Sequence, residues 1–176
     1  MKQLATLVMT MALSGTLTLH AQGANPISGH LKAQWTNIRD LLTRMGEKMP
    51  EENYRFKPTA EMQDFGQRMA HIAGFNLRTC SMVSGAPKMP MVSNAPTKAE
   101  VTALVKESNA ACDAVFNTLT DANAMKMIAA GRGGMRPVFA VLESNVLEHS
   151  QEVYGYMAPY LRLKGIVPPS SDRNER

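Results

Sequence analysis

Four stretches of the chain place apolar side chains at alternating steps of three and four, and this periodicity limits the fold more than any other feature. Steps of three and four return to one face of an α-helix, whereas a half-buried strand needs an apolar residue at every second position. No stretch of the sequence shows that strict alternation. The pattern therefore predicts an all-α four-helix bundle in which each helix turns one apolar stripe toward a shared core.

Local signals mark the starts of the first three helices. The first helix is expected over Gly29–Lys48, with Ser28 as its N-cap. Asp64 is followed three residues later by Gln67, which has the form of a capping box and opens the second helix. Thr97 opens the third helix in the same way.

The fourth helix is the longest and carries the most informative residue. It is expected to start at Pro137 and to continue as one helix, bent at Pro159, until Gly165 ends it. His149 falls on its predicted buried stripe. A histidine at such a position is either a hydrogen-bonded core residue or a metal ligand.

The first residues have the composition of a secretory signal peptide. Met1 and Lys2 supply a short positive start, an apolar run follows, and small residues near Ala21 or Gly23 offer a cleavage site. The run is interrupted by Thr, Ser and Gly, and it is shorter than the roughly 18–20 apolar residues that a membrane span needs. We expect residues 1–23 to be removed, residues 24–176 to form one domain without a stable membrane span, and the mature protein to be periplasmic or secreted.

The overall charge argues against a nucleic-acid partner. The 176 residues have a formal net charge of +4, and no dense block of Lys and Arg falls on any one predicted helix. A nucleic-acid surface normally concentrates its positive charge on one face or along one helix. A solvated surface with a mild basic bias accounts for this composition.

The two cysteines, Cys80 and Cys112, constrain the topology. They lie about 15 and about 14 residues into the second and third helices, so at ~1.5 Å per residue parallel helices would place both at ~22 Å along the bundle. The segment 85–96 could cross the bundle, because an extended chain spans ~3.3 Å per residue. In an oxidising compartment this predicts a Cys80–Cys112 disulfide between parallel helices, and the alternative is a pair of buried free thiols.

Several motifs together resemble the DinB-like superfamily of metal-binding four-helix bundles, over essentially the whole mature chain. They are Trp35, the Pro-bounded segment 49–58, the run from Phe65 through His71, and the C-terminal segment 160–169. The resemblance implies an up-down-down-up topology with a parallel crossover between the second and third helices. It also implies a divalent metal, often zinc or nickel, held by three histidines.

One of those ligands comes from the second helix and two come from the fourth as H-x-x-x-H. The resemblance assigns the first two positions to His71 and His149, but the third falls on Val153, which cannot bind a metal. Glu152 points in a different direction around the helix from His149, so it is not expected to replace the missing ligand. The polar groups expected around the imidazoles are Asn145, Glu152 and Tyr154, with Ser150 as a further hydrogen-bond partner.

Two functions are compatible with this sequence. The first is a metal-dependent thiol S-transferase or isomerase, as in characterised relatives, in which the metal lowers the pKa of a bound thiol. The second is an exported bundle with a degenerate metal site, binding zinc or nickel weakly or no metal, that uses its pocket for a small molecule or a partner, including a second copy. The valine at position 153 favours the second function, and whether the protein is an enzyme is left open.

Overall fold

The computed structural model describes residues 25–172, and the predicted signal peptide, residues 1–23, lies outside the described residues. Three long helices come first: α1 (Pro26–Lys48), α2 (Phe65–Val83) and α3 (Lys98–Thr118). A short helix, α4 (Asp121–Ala124), leads into a hairpin of two strands, β1 (Met127–Ala129) and β2 (Met135–Pro137). The fourth bundle helix spans residues 138–163 in three consecutive segments: α5 (Val138–Val141), a π-helical segment (Leu142–Glu148) and α6 (His149–Leu163). Short 3₁₀ turns occupy Glu51–Asn53, Gly131–Gly133 and Pro169–Ser171.

The all-α prediction is confirmed, with two local differences from the expected elements. The antiparallel hairpin was not expected, because strands of three residues are too short to show alternation. Its turn depends on Gly131 and Gly134, whose φ angles of 59° and 67° suit glycine best. The expectation of one continuous α-helix from Pro137 was also wrong, because seven of its residues are π-helical.

Both predicted capping boxes are present. The Asp64 carboxylate accepts a hydrogen bond from the Gln67 backbone N–H at 2.8 Å, and the Gln67 side chain accepts one from the Asp64 N–H. Thr97 and Glu100 form the same reciprocal pair at the start of α3. Each box satisfies backbone donors that have no partner within their own helix.

The start of α1 differs from the prediction, because Ser28 is not its N-cap. The helix begins at Pro26, Asn25 is the N-cap residue, and the Asn25 side chain does not cap its own helix. The Asp121 carboxylate instead accepts hydrogen bonds from the backbone N–H groups of Ser28 at 2.8 Å and Ile27 at 3.3 Å. Asn25 in turn accepts one from the Asp121 N–H at 2.9 Å. The first turn of α1 is thus capped by the first residue of α4, just after the end of α3, so α1 and α3 run antiparallel.

Helices α2 and α3 run parallel, as the positions of the two cysteines predicted. Cys80 and Cys112 form the predicted disulfide, with a Cα–Cα distance of 5.0 Å. Near the N-terminal ends of the same two helices, the Gln67 side chain donates to the Asn94 carbonyl at 2.8 Å. Contacts at matching heights along both helices mean that α2 and α3 run parallel, with the segment 85–96 as the crossover.

The last helix, α6, runs antiparallel to α2. Tyr160, near the end of α6, donates to the carbonyl of Gln63, just before α2, at 2.8 Å. Near the start of α6, Ser150 accepts a hydrogen bond from the Asn76 side chain, twelve residues into α2, at 2.9 Å. The four helices therefore have the up-down-down-up arrangement.

The core is built from the apolar stripes of all four helices. At its centre the Trp35 ring stacks on the Phe116 ring, with centroids 5.4 Å apart and planes 8° from parallel. The Trp35 Nε1–H donates to the Asp113 carboxylate at 2.8 Å, so the polar edge of this buried ring is satisfied. Within residues 25–172, no helix has both the length and the apolar composition needed to cross a membrane.

Candidate metal centre

His71 on α2 and His149 at the start of α6 meet on one side of the bundle. Their Nε2 atoms lie 3.1 Å apart, and their rings are nearly perpendicular, at 82°. The pair is closer to solvent than predicted, because His71 is exposed and the His149 side chain is 26% exposed. The stripe on which His149 was expected is instead completed by its neighbours Ser150 and Val153, which are buried.

Glu152 contacts the Nδ1 edge of the His149 ring. Its carboxylate lies 3.2 Å from His149 Nδ1 and accepts a hydrogen bond from the Tyr156 hydroxyl at 2.7 Å. The hydrogen bond from Tyr156, and then that from His149, hold the pKa of the Glu152 carboxyl below its usual range. Because Nδ1 and Nε2 lie on different edges of the imidazole, Glu152 orients the ring and leaves Nε2 for the side facing His71.

The surroundings of His71 favour its neutral form. Partial burial lowers the pKa of the His71 imidazole, and the neighbouring positive charges of His149 and Arg68 lower it further. The Arg68 guanidinium also lies over the Tyr156 ring, 6.0 Å from its centroid. A neutral imidazole with a free Nε2 is the form that binds a metal or accepts a hydrogen bond.

Three of the polar groups expected around the imidazoles make their hydrogen bonds elsewhere, and one of them is Ser150, which accepts from the Asn76 side chain. The Asn145 side chain accepts from the Ser144 hydroxyl at 3.1 Å, because the π-helical segment removes the one-turn relation that an α-helix would give Asn145 and His149. The Tyr154 hydroxyl accepts from the backbone N–H of Ser170 at 2.9 Å and so binds the C-terminal segment.

The donor set fits half of a tetrahedral metal site. Two nitrogens bound to one zinc at the usual 2.0–2.1 Å lie roughly 3.3 Å apart, which is close to the 3.1 Å between the two Nε2 atoms. Among the described residues no cluster of three or more His, Cys, Asp or Glu side chains could hold a metal ion. Val153, the position assigned to the third ligand, is 1% exposed and belongs to the hydrophobic core. His71 and His149 are thus the two side chains here that could hold a divalent ion.

Phe75 is the site residue that the sequence analysis missed. Its ring lies 4.9 Å from the His149 ring at 65°, and 6.2 Å from the His71 ring. It follows His71 by four residues on α2, and this spacing could have identified it, because residues four apart share a helix face. Phe75 forms an apolar wall behind both imidazoles.

A groove of about 470 Å³ opens beside His71, between α2 and the segment 85–96. This segment is anchored to both neighbouring helices, α2 and α3. Its Lys88 N–H donates to the Ser81 hydroxyl, and the Lys88 side chain forms a salt bridge with Glu107 at 2.7 Å. The groove is therefore a formed feature of the surface, of the size that small molecules occupy.

The comparisons with known proteins agree on one family. The profile of the DinB superfamily matches residues 30–151. A DinB-like protein from Bacillus subtilis has a similar structure, with a TM-score of 0.65 and 20% identity over 82% of this chain and 99% of its own. A DinB-like protein from Bacillus cereus also has a TM-score of 0.65, with 16% identity over 80% of this chain and 95% of its own. No functionally curated protein matches the sequence.

Proposed function

The chain belongs to the DinB superfamily, and from that membership we propose that it is an exported bundle whose divalent-metal centre is reduced to two ligands, His71 and His149. In this proposal the protein binds a small molecule in the groove beside His71 and does not depend on a tightly held metal. The alternative is a metal-dependent thiol S-transferase or isomerase.

The observation that carries the proposal is the environment of Val153. This side chain is packed in the hydrophobic core, at the position four residues after His149 where the family pattern has a third histidine. Valine has no donor atom, and Glu152 is engaged with His149 Nδ1 and the Tyr156 hydroxyl. A metal held by two imidazoles would take its other ligands from solvent or from a bound molecule, which weakens its retention.

One observation favours the enzymatic alternative. His149 has a carboxylate on its Nδ1, as metal-ligating histidines usually do, and its Nε2 faces that of His71 at 3.1 Å. If a metal is bound there, it supplies a positive charge that lowers the pKa of a bound thiol. The protein's own contribution would be to hold the metal through both imidazoles, to fix the tautomer of His149 through Glu152, and to exclude water on the Phe75 side.

Metal content distinguishes the two functions. Protein purified without chelator would be analysed for zinc and nickel and then titrated with each ion, together with Val153→His and His149→Ala. We expect wild type to lose its metal on dialysis and Val153→His to retain about one equivalent, because three imidazoles complete the ligand set. The control is His30→Ala, which removes an exposed histidine from α1.

A wild-type protein that retains about one equivalent through dialysis, and loses it in His149→Ala but not in His30→Ala, would contradict the proposal. That result would support the enzymatic alternative. The next measurement would then be transfer of a low-molecular-weight thiol to an electrophile, with and without metal.

Export is the second part of the proposal, and it is supported by the composition of residues 1–23 and by the disulfide. A Cys80–Cys112 disulfide is stable in an oxidising compartment and would be reduced in most cytosols. Mass spectrometry of the protein recovered from a bacterial periplasm should give a chain that starts near Gln22 to Ala24. Recovery of the full-length chain from the cytosol alone would refute export.

A further inference from the structure

A second pocket adjoins the groove beside His71. It has a volume of about 630 Å³ and lies between the C-terminal half of α2, the turn Gly131–Gly133 and the π-helical segment. This volume falls in the range of small-molecule sites. Phe75 and Arg78 line both this pocket and the groove.

The pocket carries positive charge that no acidic side chain balances. Arg78 and Arg136 line it, and none of the described residues in its lining is Asp or Glu. The Arg78 guanidinium lies over the Phe75 ring, 5.8 Å from its centroid, and has no ion pair within the described residues. Two guanidinium groups at one concave surface favour a carboxylate or a phosphate, whose oxygens accept paired N–H donors.

Arg136 is held in a fixed position. It stands on β2 opposite Ile128, and its Nη2 donates to the Ala140 carbonyl and to the Ser144 hydroxyl, both at 3.0 Å. The guanidinium has five N–H donors, so these two hydrogen bonds leave others available. A charge that is already positioned loses less conformational entropy when an anion binds.

Two further donors in the pocket have no partner among the described residues. Thr79 is only 3% exposed, and its hydroxyl makes no hydrogen bond there. The Asn145 carbonyl oxygen is occupied by the Ser144 hydroxyl, which leaves the Asn145 amide N–H groups without an acceptor. Both groups are therefore free to donate hydrogen bonds to the oxygen of a ligand in the pocket.

The backbone that carries Asn145 supports the same conclusion. Asn145 lies in the middle of the π-helical segment Leu142–Glu148. Such segments cost stability relative to a regular α-helix and occur frequently at functional sites. Here the distortion places Asn145 in the pocket wall.

We propose that this pocket is a binding site for the anionic end of a small molecule. Arg78 and Arg136 hold a carboxylate or phosphate, Asn145 and Thr79 donate further hydrogen bonds, and the apolar part of the ligand packs against Phe75. The site does not depend on the metal centre, but it shares Arg78 and Phe75 with the groove of the proposed function, so the resonances of Gly131 and Gly133, which line only the pocket, decide which of the two an anion occupies.

Calorimetric titration of the mature protein with benzoate, inorganic phosphate and benzamide tests the site. Benzamide has nearly the shape of benzoate without its charge. We expect saturable binding of benzoate, of phosphate, or of both, and binding of benzamide at least ~10-fold weaker than benzoate, because a charged hydrogen bond contributes about 1.5–3 kcal/mol and 1.4 kcal/mol is tenfold. The amide resonances of Gly131 and Gly133 should shift on binding, since both residues line the pocket.

The deciding variant is Arg78→Gln, with Arg162→Gln as its control. Arg78 is exposed and makes only a ring contact, so its replacement should not affect folding. Arg162 is an exposed arginine on α6 with one hydrogen bond, to Ser171, and its loss changes the net charge equally. We expect Arg78→Gln to weaken anion binding roughly tenfold and Arg162→Gln to leave it unchanged.

The titrations also identify the anion. Binding of benzoate alone would assign a carboxylate, and binding of phosphate alone a phosphate, and either result supports the site. The proposal is overturned if neither anion binds saturably, if benzamide binds as tightly as benzoate, or if the two arginine variants lose the same affinity.

Discussion

Removing the Cys80–Cys112 disulfide should destabilise the protein by several kcal/mol. The bond joins the parallel helices α2 and α3 at a point where both cysteines are fully buried. The cleanest perturbation is reduction of the wild-type bond, because the sulfur atoms stay in the core and only the cross-link is lost. The double variant Cys80→Ala/Cys112→Ala removes the sulfur atoms as well and should be somewhat less stable than the reduced protein.

The magnitude follows from the length of chain that the bond closes. The two cysteines are 32 residues apart. In the chain-entropy model, a loop of that length lowers the entropy of the unfolded state by roughly 12 cal/mol/K, which is about 3.7 kcal/mol at 25 °C. Since small domains have unfolding free energies of about 5–15 kcal/mol, the cross-link could account for a quarter or more of the total.

Urea unfolding of the oxidised and reduced proteins, followed by far-UV circular dichroism, measures this difference. With a urea m-value of about 2 kcal/mol/M, the midpoint should fall by roughly 1.8 M on reduction. The m-value itself should rise, because an unfolded chain without the cross-link exposes more surface. A midpoint shift below about 0.3 M would refute the reasoning, since it would mean that the cross-link does not constrain the unfolded chain.

Two further predictions concern contacts that the sequence did not reveal. Hydrogen bonds from Ser28 and Ile27 hold the pKa of the Asp121 carboxyl below its ordinary value of 3.8, so its contribution to stability is present above that pH and is lost as the pH falls through the folded-state pKa. The difference in unfolding free energy between wild type and Asp121→Asn, measured by urea unfolding, should therefore be smaller at pH 3 than at pH 7. An equal difference at the two pH values would count against the cap. Gly74→Ala would place a Cβ 2.9 Å from the Pro90 ring, so the segment 85–96 should be cleaved faster by proteases. Its control, Gly155→Ala, places a Cβ where no atom lies within 4 Å and should stabilise α6 by about 0.5–1 kcal/mol. Equal rates of proteolysis of the two variants would contradict the packing of Gly74 against Pro90.

The features that could be predicted from the sequence depend on neighbours in the chain or on simple helix geometry. The capping boxes at Asp64 and Thr97 need only two residues three apart, and both are present. The disulfide needed only the distance of Cys80 and Cys112 from the starts of their helices. The hydrogen bonds of a capping box form within one helix, and the disulfide joins two helices at the same height along the bundle. Both features can therefore be predicted from positions in the sequence.

The features that were missed depend on contacts between distant residues. The cap of α1 comes from Asp121, which is 93 residues from Ser28. Asn25 and Ser28 are both good N-cap residues, so local preference could not show that the cap comes from another helix. Tyr154 was assigned to the imidazoles by its place in α6, but its hydroxyl binds the backbone of Ser170 in the C-terminal segment. Spacing along a helix gives the direction of a side chain but not the partner that it finds there.

The π-helical segment Leu142–Glu148 separates Asn145 from the histidine pair. In a regular α-helix, Asn145 and His149 would share a face, because they are four residues apart. The wider π-helical turn breaks that relation, so Asn145 lines the pocket with Arg78 while His149 faces His71. Phe75 lies between the two, packing against the His149 ring on one side and lining the pocket on the other. Asn145 is therefore not placed to act as a third metal ligand beside His71 and His149. The same displacement leaves it in the wall of the pocket, where it can bind a small molecule.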